Sequence, residues 1–127
     1  MRSLSAALCA VLLATGCGTI QEAGNLLDRA EACAKATEIA DGLVSRLPTL
    51  TGDPAAMRKA LDEAAGRLRT IGVESGDPGF DDVLGGLAET YKSAVVTDAA
   101  SAASAAEQVR AGTATQLRVI SRSCGDS

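Results

Sequence analysis

Two copies of the sequence Gly-Asp-Pro, at 52–54 and 76–78, constrain the fold of this chain more than any other feature. In each copy the aspartate is a favourable N-cap, and the proline fits the first helical position, where a missing N–H loses no hydrogen bond. Each copy therefore predicts a helix that begins at its proline. The segments that follow do not match each other, so the copies reflect shared capping chemistry and not an internal repeat.

Apolar residues recur at helical spacing on both sides of the first copy. After Pro54 they alternate steps of four and three, which predicts a narrow packed face: Met57, Leu61, Ala64, Leu68 and Ile71. The preceding helix is expected to run from a capping box at Thr19–Glu22 to Pro48, because the residue before a proline avoids the helical region. Its predicted inward face is Leu26, Ala30, Cys33, Thr37, Ala40, Val44 and Leu47.

The pattern after Pro78 is also helical. Its predicted inward face is Phe80, Leu84, Leu87, Tyr91 and Val95. The pair Gly85-Gly86 lies within this helix, where each glycine costs about 1 kcal/mol relative to alanine. We expect a neighbouring helix to approach closely at this pair, with a hinge or a gap that faces a ligand as alternatives. The lone Tyr91 is expected at the edge of the core, with its hydroxyl reaching water.

The N-terminus has the features of a secretory signal. Arg2 is followed by an apolar run at 6–14 and by small residues up to Gly16. This run is far shorter than the ~20 residues that a membrane-spanning helix requires. We expect residues 1–16 to be removed as a signal peptide and residues 17–127 to form one helical domain.

The segment Leu13-Ala14-Thr15-Gly16-Cys17 resembles the lipobox of bacterial lipoproteins. It departs from the family pattern at Ala14, where the family prefers leucine. The resemblance implies that the Cys17 thiol receives a diacylglyceryl group and becomes the new N-terminus. It also implies an exported protein anchored to the outer face of the cell membrane, or to the outer membrane of a host with two membranes. A secreted protein without lipid is the alternative, because ordinary signal peptidase also accepts small residues at this site.

Acylation of Cys17 would leave Cys33 and Cys124 as the two remaining cysteines of the mature chain. In an oxidising compartment these two are expected to form a disulfide. Their Cα atoms must then lie within about 7 Å of each other. One unbroken helix from Pro78 to about Ser123 would instead carry Cys124 some 60 Å beyond Cys33, at 1.5 Å per residue.

A turn near Ser101–Ser104 would return Cys124 to Cys33, and Ser104–Glu107 offers a capping box there. The last helix would then direct Val109, Leu117 and Ile120 inward. The predicted fold is an all-α, small antiparallel bundle of four helices. The alternative has three helices, the last of them long, because the Ala- and Ser-rich stretch 99–106 contains no helix breaker.

Composition narrows the function classes. Loss of Arg2 with the leader changes the net charge from −4 to −5, which disfavours nucleic acid as a partner. The chain has no histidine, so Ser-His-Asp and Cys-His catalysis and the commonest zinc sites are excluded. We expect no enzyme, no catalytic or metal-binding residue and no cofactor. The expected function is a helical protein-interaction module that engages an envelope protein, and the alternative is a small-ligand-binding bundle.

Overall fold

Four α-helices follow one another along the chain in a computed structural model, which describes residues 28–125. They are α1 (Arg29–Leu50), α2 (Pro54–Glu74), α3 (Pro78–Ser93) and α4 (Ala99–Gly125). Each helix packs against the next, and α4 closes the bundle by packing against α1. The described residues contain no strand. The predicted all-α antiparallel bundle of four helices is confirmed, and the alternative with three helices is wrong.

The starts of α2 and α3 are formed as the two Gly-Asp-Pro copies predict. The Asp53 carboxylate accepts a hydrogen bond from the backbone N–H of Ala56 at 3.1 Å. The Asp77 carboxylate accepts from the N–H groups of Gly79 and Phe80, at 3.0 and 3.2 Å. Gly76 has a φ of 69°, a left-handed conformation that favours glycine.

The end of α1 differs from the prediction, because the helix contains Pro48 and continues to Leu50. A proline in the last turn removes one hydrogen bond. Two threonine hydroxyls donate hydrogen bonds to backbone carbonyl oxygens of this turn. Thr49 donates to the carbonyl of Arg46 at 2.7 Å, and Thr51 donates to the carbonyl of Pro48 at 3.0 Å. The predicted capping box at Thr19–Glu22 lies outside the described residues.

The inward face of α1 was only partly predicted. Cys33, Ala40 and Leu47 are buried as expected, but the other core positions are Ala32, Ala36, Leu43 and Leu50. Thr37 and Val44 are only partly buried, and Ala30 is exposed. Because α1 packs against both α2 and α4, its buried face is broader than a single seam and is rotated from the predicted one.

The turn between α3 and α4 lies at 94–98 and not at the predicted Ser101–Ser104. The Asp98 carboxylate accepts from the N–H of Ser101 at 2.8 Å, and the Ser101 hydroxyl accepts from the N–H groups of Asp98 and Thr97, at 2.9 and 2.8 Å. This reciprocal cap starts α4 six residues earlier than the capping box that we expected at Ser104–Glu107. Val95 therefore lies in the turn, 65% exposed, instead of in the core.

The core is built largely from small side chains. Ten of the 24 buried hydrophobic residues are alanine, so the helices approach closely without large side chains between them. The predicted α2 seam is buried at all five positions, and Val109 and Ile120 of α4 are buried with Leu117 partly so. None of the four helices is long and apolar enough to cross a membrane.

Candidate functional site

The Cys33–Cys124 disulfide joins α1 to the last turn of α4. The two Cα atoms are 6.2 Å apart, across a sequence separation of 91 residues. Cys33 is buried in the core, and Cys124 is partly buried against it. The expected lipidation site, Cys17, lies outside the described residues.

Arg29 ties three helices together at the same end of the bundle. Its guanidinium forms an ion pair with Asp77, the N-cap of α3. It also donates hydrogen bonds to the Ser123 hydroxyl at 2.6 Å and to the Ser123 carbonyl at 3.1 Å. The guanidinium carbon Cζ of Arg29 lies 6.0 Å from the centre of the Phe80 ring. The sequence pattern gave no signal for Arg29, because its partners lie 48 and 94 residues away.

Arg58 caps the C-terminus of α3. Its guanidinium forms an ion pair with Asp62, four residues along α2, at 2.8 Å. The same guanidinium also donates to the carbonyl oxygens of Tyr91 and Ala94, at 2.8 and 2.6 Å. Arginine presents several donors in one plane and can therefore serve one carboxylate and two carbonyls together.

Tyr91 lies inside the core, and the expectation that its hydroxyl reaches water is wrong. The side chain is fully buried, and its hydroxyl shares a 2.8 Å hydrogen bond with the Thr113 hydroxyl of α4. Burial raises the pKa of Tyr91 above its ordinary value. The phenol is therefore held neutral and is poorly suited to act as a base or nucleophile.

The expected close approach of a helix at Gly85-Gly86 is also wrong. A Cβ atom added at either glycine would meet nothing within 4 Å, and α3 continues through both positions. Close approach occurs at two other glycines. A Cβ at Gly72 would lie 2.5 Å from a carboxylate oxygen of Asp81, and one at Gly112 would lie 3.2 Å from the Thr90 methyl group.

An open groove runs between α1 and α2 on the outside of the bundle. One part encloses about 190 Å³ and the adjoining part about 660 Å³. Apolar and small residues line it, among them Ile39, Gly42, Ala60, Ala64 and Gly66. Charged side chains flank them: Glu38, Arg46, Glu63 and Arg67. This groove combines a shallow apolar floor with charges of both signs.

Other surface features offer less. The exposed valines are dispersed: Val73, 69% exposed, lies at the end of α2, and Val95 lies at the opposite end of the bundle. In residues 28–125 no three acidic or cysteine side chains converge as a metal site would require. Phe80 and Tyr91 are buried, so a ligand in a surface pocket would not touch either ring.

Comparison with known proteins gives a family without an assigned activity. A family model described as a domain of unknown function, DUF8711, matches residues 27–125. The matched range covers all four helices and both cysteines of the disulfide. No curated protein and no solved structure matches the chain.

Proposed function

Because the chain belongs to the DUF8711 family, whose description carries no activity, we propose a function from its own residues. The protein is an exported lipoprotein, anchored through Cys17, whose helical bundle acts as a protein-interaction module at the cell envelope. Residues 1–16 are its signal peptide. The domain binds other proteins and performs no reaction.

The Cys33–Cys124 disulfide is the observation that carries the proposal. Disulfides persist in exported proteins and are rare in reducing compartments. The bond joins the two cysteines that would remain after acylation of Cys17. The disulfide and the lipobox resemblance therefore support the same proposal, an exported lipoprotein. In the reducing cytosol this disulfide would not persist and could not stabilise the bundle.

The place where the chain enters the bundle supports the anchoring. Eleven residues separate Cys17 from Arg29. Even fully extended, at about 3.5 Å per residue, they would reach ~40 Å. The end of the bundle that holds Arg29 and the disulfide would thus lie near the membrane. Lipid on this cysteine would position the groove between α1 and α2 where other envelope proteins are present.

The test of anchoring is the intact mass of the protein extracted from membranes with detergent. We expect a chain that begins at Cys17 and carries the mass of its acyl chains. A Cys17→Ser variant should lose the acyl mass and move to the soluble fraction, whereas Ser3→Ala should change neither. A peptide-only mass for the wild-type protein, or a retained leader, would refute the lipid anchor.

The interaction role needs a separate test. The detergent-extracted wild-type protein should retain envelope proteins through affinity purification, and the same proteins should be lost from a variant altered in the groove, Glu63→Arg with Arg67→Glu. Arg118→Glu, on the exposed side of α4, is the matched control. Equal recovery with all three chains would argue against the groove as the interaction surface.

A further inference from the structure

Two glycines that line the α1–α2 groove have no neighbour that requires the absence of a side chain. Gly42 of α1 and Gly66 of α2 lie within helices, and a Cβ atom at either would meet nothing within 4 Å. Glycine within a helix is unfavourable relative to alanine. Gly72 and Gly112 differ from them, because a neighbouring helix occupies the space that a side chain would take. The groove therefore leaves room for another helix to approach α1 closely.

The charges around Gly42 indicate which helix could pack against α1 at this position. Glu38 lies four residues before Gly42 and Arg46 four residues after it, so opposite charges flank the glycine at equal spacing. Both side chains are exposed, and neither forms an ion pair with any residue in the described range. Reversing the direction of α1 about Gly42 places the acid where the base was. An antiparallel copy of the same helix is thus complementary in charge to this one.

We propose that the groove is a homodimer interface in which the α1 helices of two copies cross antiparallel at Gly42. A two-fold axis through this crossing would bring Glu38 of each copy opposite Arg46 of the other. Each charged residue lies about 6 Å along the helix from the crossing, within reach of its side chain. Ile39 and the alanines of the groove would be covered by the second copy.

Charges on α2 fit the same axis. Lys59 and Glu63 are exposed, four residues apart and opposite in charge, and Ala60, Glu63 and Ala64 line the groove with Gly42. Neither Lys59 nor Glu63 pairs with an opposite charge of its own copy within 4.0 Å, in the part of the chain that the structure describes. In the dimer, Lys59 of each copy would face Glu63 of the other copy across the axis. Such rim charges set register and partner choice more than affinity.

This inference makes a second copy of the chain the occupant of the groove, so other envelope proteins would bind the assembled dimer. It rests on the proposed function only in treating the bundle as an interaction module, and it does not require lipid. The symmetry is compatible with anchoring. With the two-fold axis along the membrane normal, both copies lie along the surface, and the Arg29 end of each is at the same height. Eleven residues then connect each Arg29 to a Cys17 in the same membrane.

The test is the oligomeric state of the full chain carrying Cys17→Ser, which excludes acylation and a disulfide through that thiol. Analytical ultracentrifugation should show a dimer that dissociates on dilution. Gly42→Leu should shift it to monomer, with a dissociation constant more than about tenfold higher. Gly86→Leu is the matched control, since Gly86 is an exposed glycine within α3 with the same open surroundings, and it should leave the dimer unchanged.

Charge exchange tests the orientation. Glu38→Arg alone and Arg46→Glu alone should each weaken the dimer by about tenfold or more, because both create two like-charge contacts. The double variant Glu38→Arg with Arg46→Glu should recover wild-type affinity to within about threefold. An equal mixture of the two single variants should form a heterodimer. Glu74→Arg, an exposed change of the same sign at the end of α2, should have no effect.

The outcomes separate the two proposals. A Cys17→Ser chain without further changes that remains monomeric at about 1 mM, or a double variant as weak as the single ones, would overturn the dimer. Dimerisation would survive a failure of anchoring, which the acyl mass measures independently. Circular dichroism of each variant distinguishes loss of the interface from loss of the fold.

Discussion

The hydroxyl groups of Tyr91 and Thr113 form a buried hydrogen bond between α3 and α4. Such a pair contributes modestly while both partners are present, and it is costly when one partner is removed and the other stays buried. Burial, opposed by the hydrogen bond with Thr113, raises the pKa of Tyr91. The neutral phenol is therefore preferred by the folded state.

Tyr91 should make the stability depend on pH only under alkaline conditions. Its folded-state pKa lies above the ordinary value of 10.0, so its contribution is complete below about pH 10 and is lost as the pH rises through the folded-state value. Urea denaturation of the wild-type protein should show this decline. Tyr91→Phe should reduce it, and an identical alkaline decline in both proteins would contradict the assignment.

Removing one hydroxyl of this pair should be worse than removing both. Thr113→Val should lower the free energy of unfolding by about 1–3 kcal/mol, because the Tyr91 hydroxyl stays buried without a partner. Adding Tyr91→Phe should recover part of the loss. The coupling is measured by a double-mutant cycle in urea, and strictly additive effects would show that the two hydroxyls do not act together.

Glycines of this protein should respond in opposite ways to substitution by alanine. Gly86→Ala should raise the free energy of unfolding by about 0.5–1 kcal/mol, since the new methyl group meets nothing and helix propensity improves. Gly72→Ala should lower it, because the methyl group would collide with Asp81. Thermal unfolding at a concentration where the chain is monomeric measures both. A destabilised Gly86→Ala would indicate a contact at α3 that the bundle does not show.

Among the helices, α4 depends most clearly on a local signal at its start. Asp98 and Ser101 satisfy each other's backbone N–H groups. The hydrogen bonds from Ser101 lower the pKa of Asp98, so the carboxylate form is favoured in the folded protein. The cap therefore supports α4 at neutral pH and weakens as the pH falls through the folded-state pKa, which lies below the ordinary value of 3.8.

Loss of this cap should be visible as a lower melting temperature. Asp98→Ala should reduce it at pH 7 by about 3–6 °C. Asp98→Asn should keep most of the cap, since asparagine also accepts the Ser101 N–H, and it should lose the acid sensitivity of this site. Ser104→Ala is the control, because Ser104 lies within α4 and does not cap it. An equal effect of Ser104→Ala would place the start of α4 where the sequence pattern first suggested.

The bundle is held together at one end by two long-range links, the Cys33–Cys124 disulfide and the contacts of Arg29. An alanine-rich core of this size buries little apolar area per residue. A cross-link over 91 residues reduces the entropy of the unfolded chain, by up to about 4–5 kcal/mol in the simplest treatment. That is comparable with the total stability of a small domain.

Cys124→Ser should therefore lower the free energy of unfolding by about 2–5 kcal/mol. The double variant with Cys33→Ser should behave like the single one, because both lack the same cross-link. Cys17→Ser should leave the stability unchanged. These values come from urea denaturation under non-reducing conditions, and a Cys124→Ser protein as stable as the wild type would show that the packing alone maintains the bundle.

Local chemistry was sufficient to predict much of this protein. The starts of α2 and α3 and the α2 seam follow from caps and periodicity within a few residues. The presence of four helices followed instead from a long-range requirement, that Cys124 return to Cys33. The start of α4 is also encoded locally, by Asp98 and Ser101. This cap has aspartate first and serine three residues later, whereas the capping box that we expected has serine first and glutamate three residues later.

The packing of the helices settled the rest. A neighbouring helix packs closely against Gly72 and Gly112. The space beside Gly42, Gly85 and Gly86 is open, although nothing in the sequence around the five glycines distinguishes the two groups. Arg29 and Arg58 became links between helices because distant carbonyls and carboxylates came within reach. Caps depend on atoms three or four positions apart, whereas burial, close approach and cross-linking depend on residues that meet only after the chain has folded back on itself.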